Sequence, residues 1–448
     1  MEHPLKQMVK RHKSGKPVGI FSICSANELV IEAAMERALK GEDFLLIEAT
    51  ANQVNQYGGY TGMKPAEFRN FISYITEKTG FPKDKIILGG DHLGPLVWKD
   101  KTSKAALDEA EELIRQFVLA GFTKIHIDTS MHLGDDDRNR KLDTRTIAER
   151  GAALCEAAEK AFLELKRLIP GAMRPVYVVG SEVPVPGGTQ GEEEKVHITR
   201  AADFEETVRS FKDAFYRRNL HDAWQNVIAV VVQPGVEFGD TSIHEYDRDS
   251  ARELTTALKK YPNLVFERHS TDYQTAASLK KMVEDGIAIL KVGPALTYAL
   301  REGLFALNMM ENELFRYVPE VKLSNFISAL DTAMGRNPEN WKNHYRGTGR
   351  DIRLARKFSF SDRCRYYLPL GEVRESMDLL IKNLSSVDIP LYLISVYMPI
   401  QYRKIRNGLL EKDPLSLLKD RVINCLDDYI YAVTLASGMK GMNDELLA

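Results

Sequence analysis

Cysteine is scarce. Cys24, Cys155, Cys364 and Cys425 are the only four in 448 residues. They lie far apart, with no CxxC pair, which argues against a zinc ribbon or a disulfide framework and for a reducing compartment. An excess of one charge is also missing. Lys and Arg number 61 and Asp and Glu 63, a formal net charge of −2, so a general affinity for nucleic acid or an anionic membrane is not expected. No segment approaches the ~20 uninterrupted apolar residues of a membrane span. The opening stretch, MEHPLKQMVKRHKSGKPVG, has no apolar core of a secretory signal. Phosphate-binding glycine signatures are absent too. There is no Walker A motif and no GxGxxG after a strand, and GTGRD at 347–351 is a lone GxG with no strand before it. These absences leave a soluble cytoplasmic protein as the expectation.

What is present is an ordinary globular composition, 44% hydrophobic and 28% charged, ample for a large core. Short runs rich in Val and Ile recur at 17–25, 44–50, 85–91, 124–130, 175–182, 226–235, 264–270 and 287–293. They are nearly continuously apolar, as strands buried on both faces should be. Amphipathic helical stretches separate them. In SKAALDEAEELIRQFVLAGF the apolar positions Ala106, Leu107, Ala110, Leu113, Ile114 and Phe117 share one face, with Gly121 as a stop. TIAERGAALCEAAEKAFLELKRL opens with a capping-box pattern, Thr146 to Glu149. Strand–helix alternation implies parallel strands with helical crossovers. Eight such units fit a (β/α)8 TIM barrel, which typically needs ~250 residues. An open doubly wound sheet is the competing arrangement, and the missing glycine fingerprint disfavours it. The expected division is a barrel over 1–305 and a helical C-terminal extension over 306–448 that covers the barrel mouth.

The active site of such a barrel lies at the C-terminal ends of its strands. Here those ends carry polar groups on nearly every strand: Glu48 and Asn52, then Asp91 and His92 in KIILGGDHLGP, Asp128, Glu182, Gln233 with Glu237 beyond it, His269 with Asp272, and Lys291. A purely structural barrel does not need this ring. Adjacent strand residues point to opposite sides, so one of Asp91 and His92 is expected to ligate a metal while the other faces substrate. A neutral imidazole at His269 suits zinc or a similar divalent ion. Glu182, in SEVPVPGG, is read as a metal ligand or an acid/base, and Asp128 as a second proton carrier or an orienter of a ligand. His126, two residues before Asp128, would share its strand face. Glu237 and His244 compete as a third ligand, and Glu237 is nearer the strand end. The charge runs GDDDRNRKLD and GEEEK read as solvated loops. FSFSDRCRYYLP at 358–369 looks like a segment folded over the mouth, from which Arg363 or Arg365 would bind a substrate anion or serve in packing.

The motifs GGDHLGP, SEVPVPGG, ERHSTDYQ, KVGPALT and SFSDRCRYY, in this order over nearly the whole chain, resemble the GatZ/KbaZ family of tagatose-bisphosphate aldolase subunits. The resemblance implies a class II aldolase-like TIM barrel. It also implies one of several roles: an accessory, non-catalytic partner of a separate aldolase subunit, the aldolase itself, or a 4-epimerase of ketohexoses or hexuronates. It places Asp91 at the catalytic aspartate, and His92 and His269 at two metal-ligand histidines. The sixth-strand histidine of class II aldolases has no match here, and Glu237 is the replacement expected. Those aldolases also follow the seventh-strand histidine with a glycine-rich phosphate turn. This chain has HSTDYQ and then Pro294, an added carboxylate and a missing N–H, both unfavourable to a phosphate.

The function expected is a metal-dependent ketohexose 4-epimerase of the tagatose/fructose type, working by retro-aldol cleavage and re-formation at C3–C4. The alternatives are a tagatose-1,6-bisphosphate aldolase or its accessory subunit, and a tagaturonate/fructuronate epimerase. The expected cofactor is a divalent ion, zinc first and manganese, nickel or cobalt otherwise, held by His92, His269 and Glu237. Asp91, Asp128 and Glu182 are the catalytic candidates. Glu48, Asn52, Gln233, Asp272, Lys291, Arg363 and Arg365 are the substrate-binding ones. Expected partners are a small sugar and an aldolase subunit; the oligomeric state is open.

Overall fold

A computed structural model describes residues 2–41, 44–181 and 196–435. Eight parallel strands close into a barrel: β1 (Ile20–Ile23), β2 (Leu45–Thr50), β3 (Ile86–Leu93), β4 (Lys124–Ile127), β5 (Val176–Val179), β6 (Val227–Val231), and, after a two-stranded ribbon of β7 (Glu237–Phe238) and β8 (Ile243–His244), β9 (Val265–Arg268) and β10 (Ile287–Val292). Neighbours follow chain order around the ring, and β1 pairs with both β2 and β10. A helix follows each barrel strand, from Glu28–Ala38 after β1 to Pro294–Phe315 after β10. This is the (β/α)8 barrel expected from the strand–helix alternation.

The strands mostly end before the apolar runs do. β4 stops at Ile127, β6 at Val231 and β9 at Arg268, so Asp128, Gln233 and His269 sit beyond the last paired residue, where the backbone is free to aim side chains over the mouth. β3 does the reverse and pairs through to Leu93. The ribbon forms because Glu237 and Phe238 find antiparallel partners in His244 and Ile243. The helix Ser103–Leu119 buries Ala106, Ala110, Leu113, Ile114 and Phe117 as its periodicity requires. Each large side chain taken fully out of water there contributes about 1.5–3 kcal/mol. The next helix, Thr144–Leu168, starts ahead of Thr146, with Asp143 at the N-cap. The Thr146–Glu149 pair is therefore inside the first turns and caps nothing.

Two further elements seal the barrel. The helix Pro4–Lys13 lies under it, and Leu5 and Val9 join Ile20, Leu46, Ile87, Val176 and Ile289 in a separate apolar cluster. The last helix, Pro414–Val433, packs against Glu28–Ala38, Ala276–Glu284 and Pro294–Phe315. It is tied down by Arg37–Asp427 at 2.6 Å and by Tyr429 Oη donating to the Thr271 carbonyl at 2.8 Å. No helix among the described residues is long and apolar enough to cross a membrane.

Candidate active site

The barrel interior is charged, not apolar, at its upper end. Lys124 in β4 is wholly buried between Glu48 of β2 at 2.5 Å and Glu267 of β9 at 2.7 Å. Lys291 of β10 lies above it, 2.7 Å from Glu48 and 3.3 Å from Glu267, and in contact with Asp91. Glycine makes this possible at β3. A Cβ on Gly89 would stand 2.5 Å from Glu48 Oε1, so a bare backbone there leaves room for the glutamate. Burial opposes the charge of Lys291, but Asp91, Glu267 and Glu48 outweigh it and raise its pKa well above the ordinary lysine value. It is a fixed ammonium, and not the neutral amine that imine chemistry requires.

Three imidazoles crown this network. The ring centroids of His92, His126 and His269 are 4.6–5.1 Å apart, all edge to face. Asp91 and His92 were expected on opposite sides of β3, yet both turn into the barrel. His92 adopts a left-handed φ of +48° and the β3–β4 register shifts between Gly90 and Leu93, so the strict alternation of the strand is broken there. Non-glycine residues at such φ store strain and cluster at functional sites. The loop that follows is packed tightly enough that a Cβ on Gly94 would meet the Asp128 carbonyl oxygen at 1.7 Å.

Carboxylates set the imidazole tautomers. Asp128 Oδ2 lies 2.8 Å from His92 Nδ1, and Glu267 Oε1 lies 3.0 Å from His269 Nε2. If each of those nitrogens donates, neutral rings leave lone pairs on His92 Nε2 and His269 Nδ1, and these two atoms face each other at 3.0 Å. Such a pair needs a proton or a cation between it. His126 Nδ1 lies 2.8 Å from Asp91 Oδ1 and 3.1 Å from the His92 backbone nitrogen, and its buried Nε2 has no hydrogen-bond partner. Burial lowers the pKa of both His126 and His269, the latter well below the ordinary value, which keeps them in the form that binds metal. His92 is raised: burial disfavours its charge, but Asp91 and Asp128 prevail. Asp91, His92, His126 and His269 each present one ligand atom within 4.8 Å of the others. The orphaned nitrogen, the facing lone pairs and the three-nitrogen, one-oxygen donor set all fit a divalent metal ion.

The remaining sequence candidates divide by position. Asp91, His92, His269, Asp272, Lys291, Asn52 and Arg365 line one cavity of about 700 Å³ at the mouth, together with Cys24, Tyr60 and Tyr366. Glu48 lies beneath it in the ion network, and Asp128 acts on His92. Glu237 is outside the imidazole group. Its carboxylate pairs with the buried Arg268 at 3.0 Å, and His126 stands with the two ligand histidines instead. His244 is in the ribbon opposite Glu237. Gln233 closes a turn by accepting from the N–H groups of Gly235 and Val236, both at 3.0 Å. Arg363 donates to the Asn340 carbonyl. Glu182 lies outside the described residues. Sequence patterning missed Lys124 and Glu267 altogether and placed His126 only on the strand face of Asp128. The only signal available was their place on inward-facing positions of otherwise apolar strands.

Asp272 has an unexpected task. Its Oδ1 accepts from Gly293 N at 3.0 Å and Ala295 N at 2.8 Å, the amides that open the helix Pro294–Phe315 and would otherwise attract an anion. Burial pushes its pKa up to about 6 against the effect of those bonds.

Sequence and structure comparisons agree on ancestry. A family profile described as D-tagatose-1,6-bisphosphate aldolase subunit GatZ/KbaZ-like matches residues 5–434. Relatives named D-tagatose-1,6-bisphosphate aldolase subunit GatZ include one from Salmonella agona (strain SL483), 45% identical over 430 residues and covering 96% of this chain and 99% of the relative. Another, from Salmonella newport (strain SL254), is 46% identical over 431 residues with the same coverage of both chains, 96% and 99%. A crystal structure described as a probable tagatose 6 phosphate kinase from Sinorhizobium meliloti 1021 superposes with a TM-score of 0.84 at 41% identity, covering 93% of this chain and all of that one. The chain therefore belongs to the GatZ/KbaZ-like family of D-tagatose-1,6-bisphosphate aldolase subunits.

Proposed function

We propose that the chain serves aldol cleavage of tagatose bisphosphate as a subunit of such an aldolase, with carbon–carbon bond chemistry at its own barrel mouth. The observation that carries the reading is the group of His92, His126, His269 and Asp91 set above a buried lysine. A decayed barrel has no reason to keep three imidazoles and their orienting carboxylates buried together. The family relatives' names, all built on tagatose phosphates, support the same substrate class. A divalent ion held by this group would polarise the C2 carbonyl and C3 hydroxyl of a ketose. Asp128 and Glu267 hold His92 and His269 in the tautomer that leaves a lone pair toward the ion. Lys291 and His126 occupy Asp91 Oδ1, while Asp91 Oδ2 has Cys24 Sγ and His92 Nε2 at 3.9 Å. That oxygen would be left to the ion, and C3–C4 cleavage requires a separate carrier for the C4 hydroxyl proton.

A specific observation favours a second reading, the 4-epimerase of an unphosphorylated ketose. The amides at Gly293 and Ala295 are already satisfied by Asp272, so a phosphate at that end meets a carboxylate in place of donors. Re-forming the C3–C4 bond on the other face of a retained aldehyde would then exchange tagatose and fructose.

One experiment separates these. The purified protein with added divalent metal is given tagatose-1,6-bisphosphate, tagatose, fructose and tagaturonate in turn. Triose phosphates from the bisphosphate, abolished by EDTA and by His126→Ala, are the result expected. Interconversion of C4 epimers would establish the second reading. No turnover by the chain alone, with cleavage enhanced only when a metal-dependent tagatose-bisphosphate aldolase is added, would make it an accessory subunit and sink the claim of its own chemistry.

A further inference from the structure

We propose that Tyr366 carries the proton at the C4 oxygen of the ketose and that Arg365 is its positioning residue. The inference rests on the retro-aldol reading above. It starts from the partners that the two nearby carboxylates already have. Asp91 Oδ1 is held by Lys291 and His126, and Asp91 stands in the metal group. Asp128 is held by His92 Nδ1 at 2.8 Å and Ser130 Oγ at 2.7 Å, so neither is free to carry the C4 proton.

Tyr366 lines the same cavity as Asp91, His269 and Lys291, from the C-terminal segment that crosses the mouth. Its oxygen accepts a hydrogen bond from Arg365 Nη2 at 2.9 Å. The guanidinium carbons of Arg365 and Arg363 lie 4.5 and 5.4 Å from its ring centroid. Tyr60 meets it edge on at 4.9 Å. The segment is held rigidly. Asp362 has a left-handed φ of +45° and is fixed by the buried Arg301 at 3.0 Å and by Thr297 Oγ1 at 2.6 Å. Arg365 Nη1 is bound to the carbonyls of Ser361 and Asp362. With those donors committed, Arg365 is aimed at the phenol and is not a free anion clamp. Burial opposes ionisation of Tyr366, but Arg365 and Arg363 outweigh it, with Asp362 acting against them, and lower its pKa from the ordinary phenol value.

In cleavage, the Tyr366 phenolate takes the C4 hydroxyl proton, and the O–H pair becomes the C4 carbonyl. The C3–C4 pair goes to C3. The phenol then gives its proton to C3 when the fragments part, or back to the C4 oxygen when the bond re-forms. No other reactant is consumed.

The test follows kcat/KM against pH for the wild type, Tyr366→Phe and Arg365→Gln, on whichever of tagatose-1,6-bisphosphate and tagatose the wild type turns over, with ultraviolet titration of tyrosinate in the same proteins. The expected result is a rise with pH in the wild type that disappears in Tyr366→Phe along with about 100-fold or more of the rate. Arg365→Gln shifts that rise to higher pH and recovers rate there, which a packing role would not produce. The tyrosine titrating below the ordinary ~10 is lost in Tyr366→Phe. A wild type that turns over while Tyr366→Phe stays within about tenfold of it and keeps its pH profile would overturn the proposal and leave the retro-aldol reading intact. A wild type inert toward both sugars would overturn the two together.

Discussion

Lys124→Met probes the ion network that the site stands on. The ammonium is fully buried and lies 2.5 Å from Glu48 and 2.7 Å from Glu267. At an effective dielectric constant of about 20, each contact is worth ~6 kcal/mol before desolvation is charged against it. The net loss is smaller, because removing one partner of a buried ionic group typically costs ~3–5 kcal/mol. A second limit comes from protons. With Lys124 gone, the two carboxylates share only Lys291, and the folded protein relieves the repulsion by taking up a proton. Glutamate in water titrates near ~4.3, and each pH unit above that makes the uptake cost ~1.4 kcal/mol, so this route caps the penalty at about 3.7 kcal/mol at pH 7. The sign follows: a carboxyl whose folded pKa is raised destabilises above its unfolded pKa, and the destabilisation fades as pH falls. The penalty in Lys124→Met should therefore be ~3–4 kcal/mol at pH 7 and shrink by up to ~1.4 kcal/mol per unit toward pH 4.5. Urea unfolding of both proteins at several pH values, followed by circular dichroism, measures it. A penalty independent of pH, or one below about 1 kcal/mol at pH 7, would refute the reasoning.

Four further outcomes can be checked. Asp128→Asn should weaken divalent metal binding about 10–100-fold by freeing the His92 tautomer, measured by competition with a chelator; unchanged affinity would dismiss the orienting role. Asp272→Ser releases the Gly293 and Ala295 amides, and inorganic phosphate should then bind at least ~10-fold more tightly by calorimetry. Burial pushes buried His3 down to about 4, so it stabilises the fold above its ordinary value of ~6.5 and loses that contribution as pH falls from there toward 4; His3→Gln should flatten the wild type's loss over this window, up to about 3 kcal/mol. Gly94→Ala, whose Cβ would strike the Asp128 carbonyl, should cost ~1–3 kcal/mol or more in denaturant unfolding and displace Asp128 from His92.

Periodicity decided much of this protein. Eight apolar runs separated by amphipathic helices admit few arrangements other than a parallel barrel, because strands buried on both faces need helices on the outside. That placed Asp91, His92, His269, Asp272 and Lys291 at one mouth, and all five line one cavity. The motifs around them also placed the chain in its family. What periodicity could not supply was partnership across the ring. His126, Lys124 and Glu267 sit on strands far apart in sequence, and only the closure and stagger of the barrel bring them together. The irregularity at Gly90–Leu93 turns Asp91 and His92 to the same side, against the period of two that a strand otherwise imposes. Glu237 stands nearest the sixth strand end in sequence, but its carboxylate finds the buried Arg268. Tyr366 reaches the cavity wall on a C-terminal segment that the buried Arg301–Asp362 pair anchors. The sequence by itself determined which residue types stand at the strand ends and hence the architecture, since alternation and burial are local properties of the chain. Which of those groups meet was decided by tertiary structure, because hydrogen bonds and ion pairs form over about 3 Å, a distance that only the closed barrel sets.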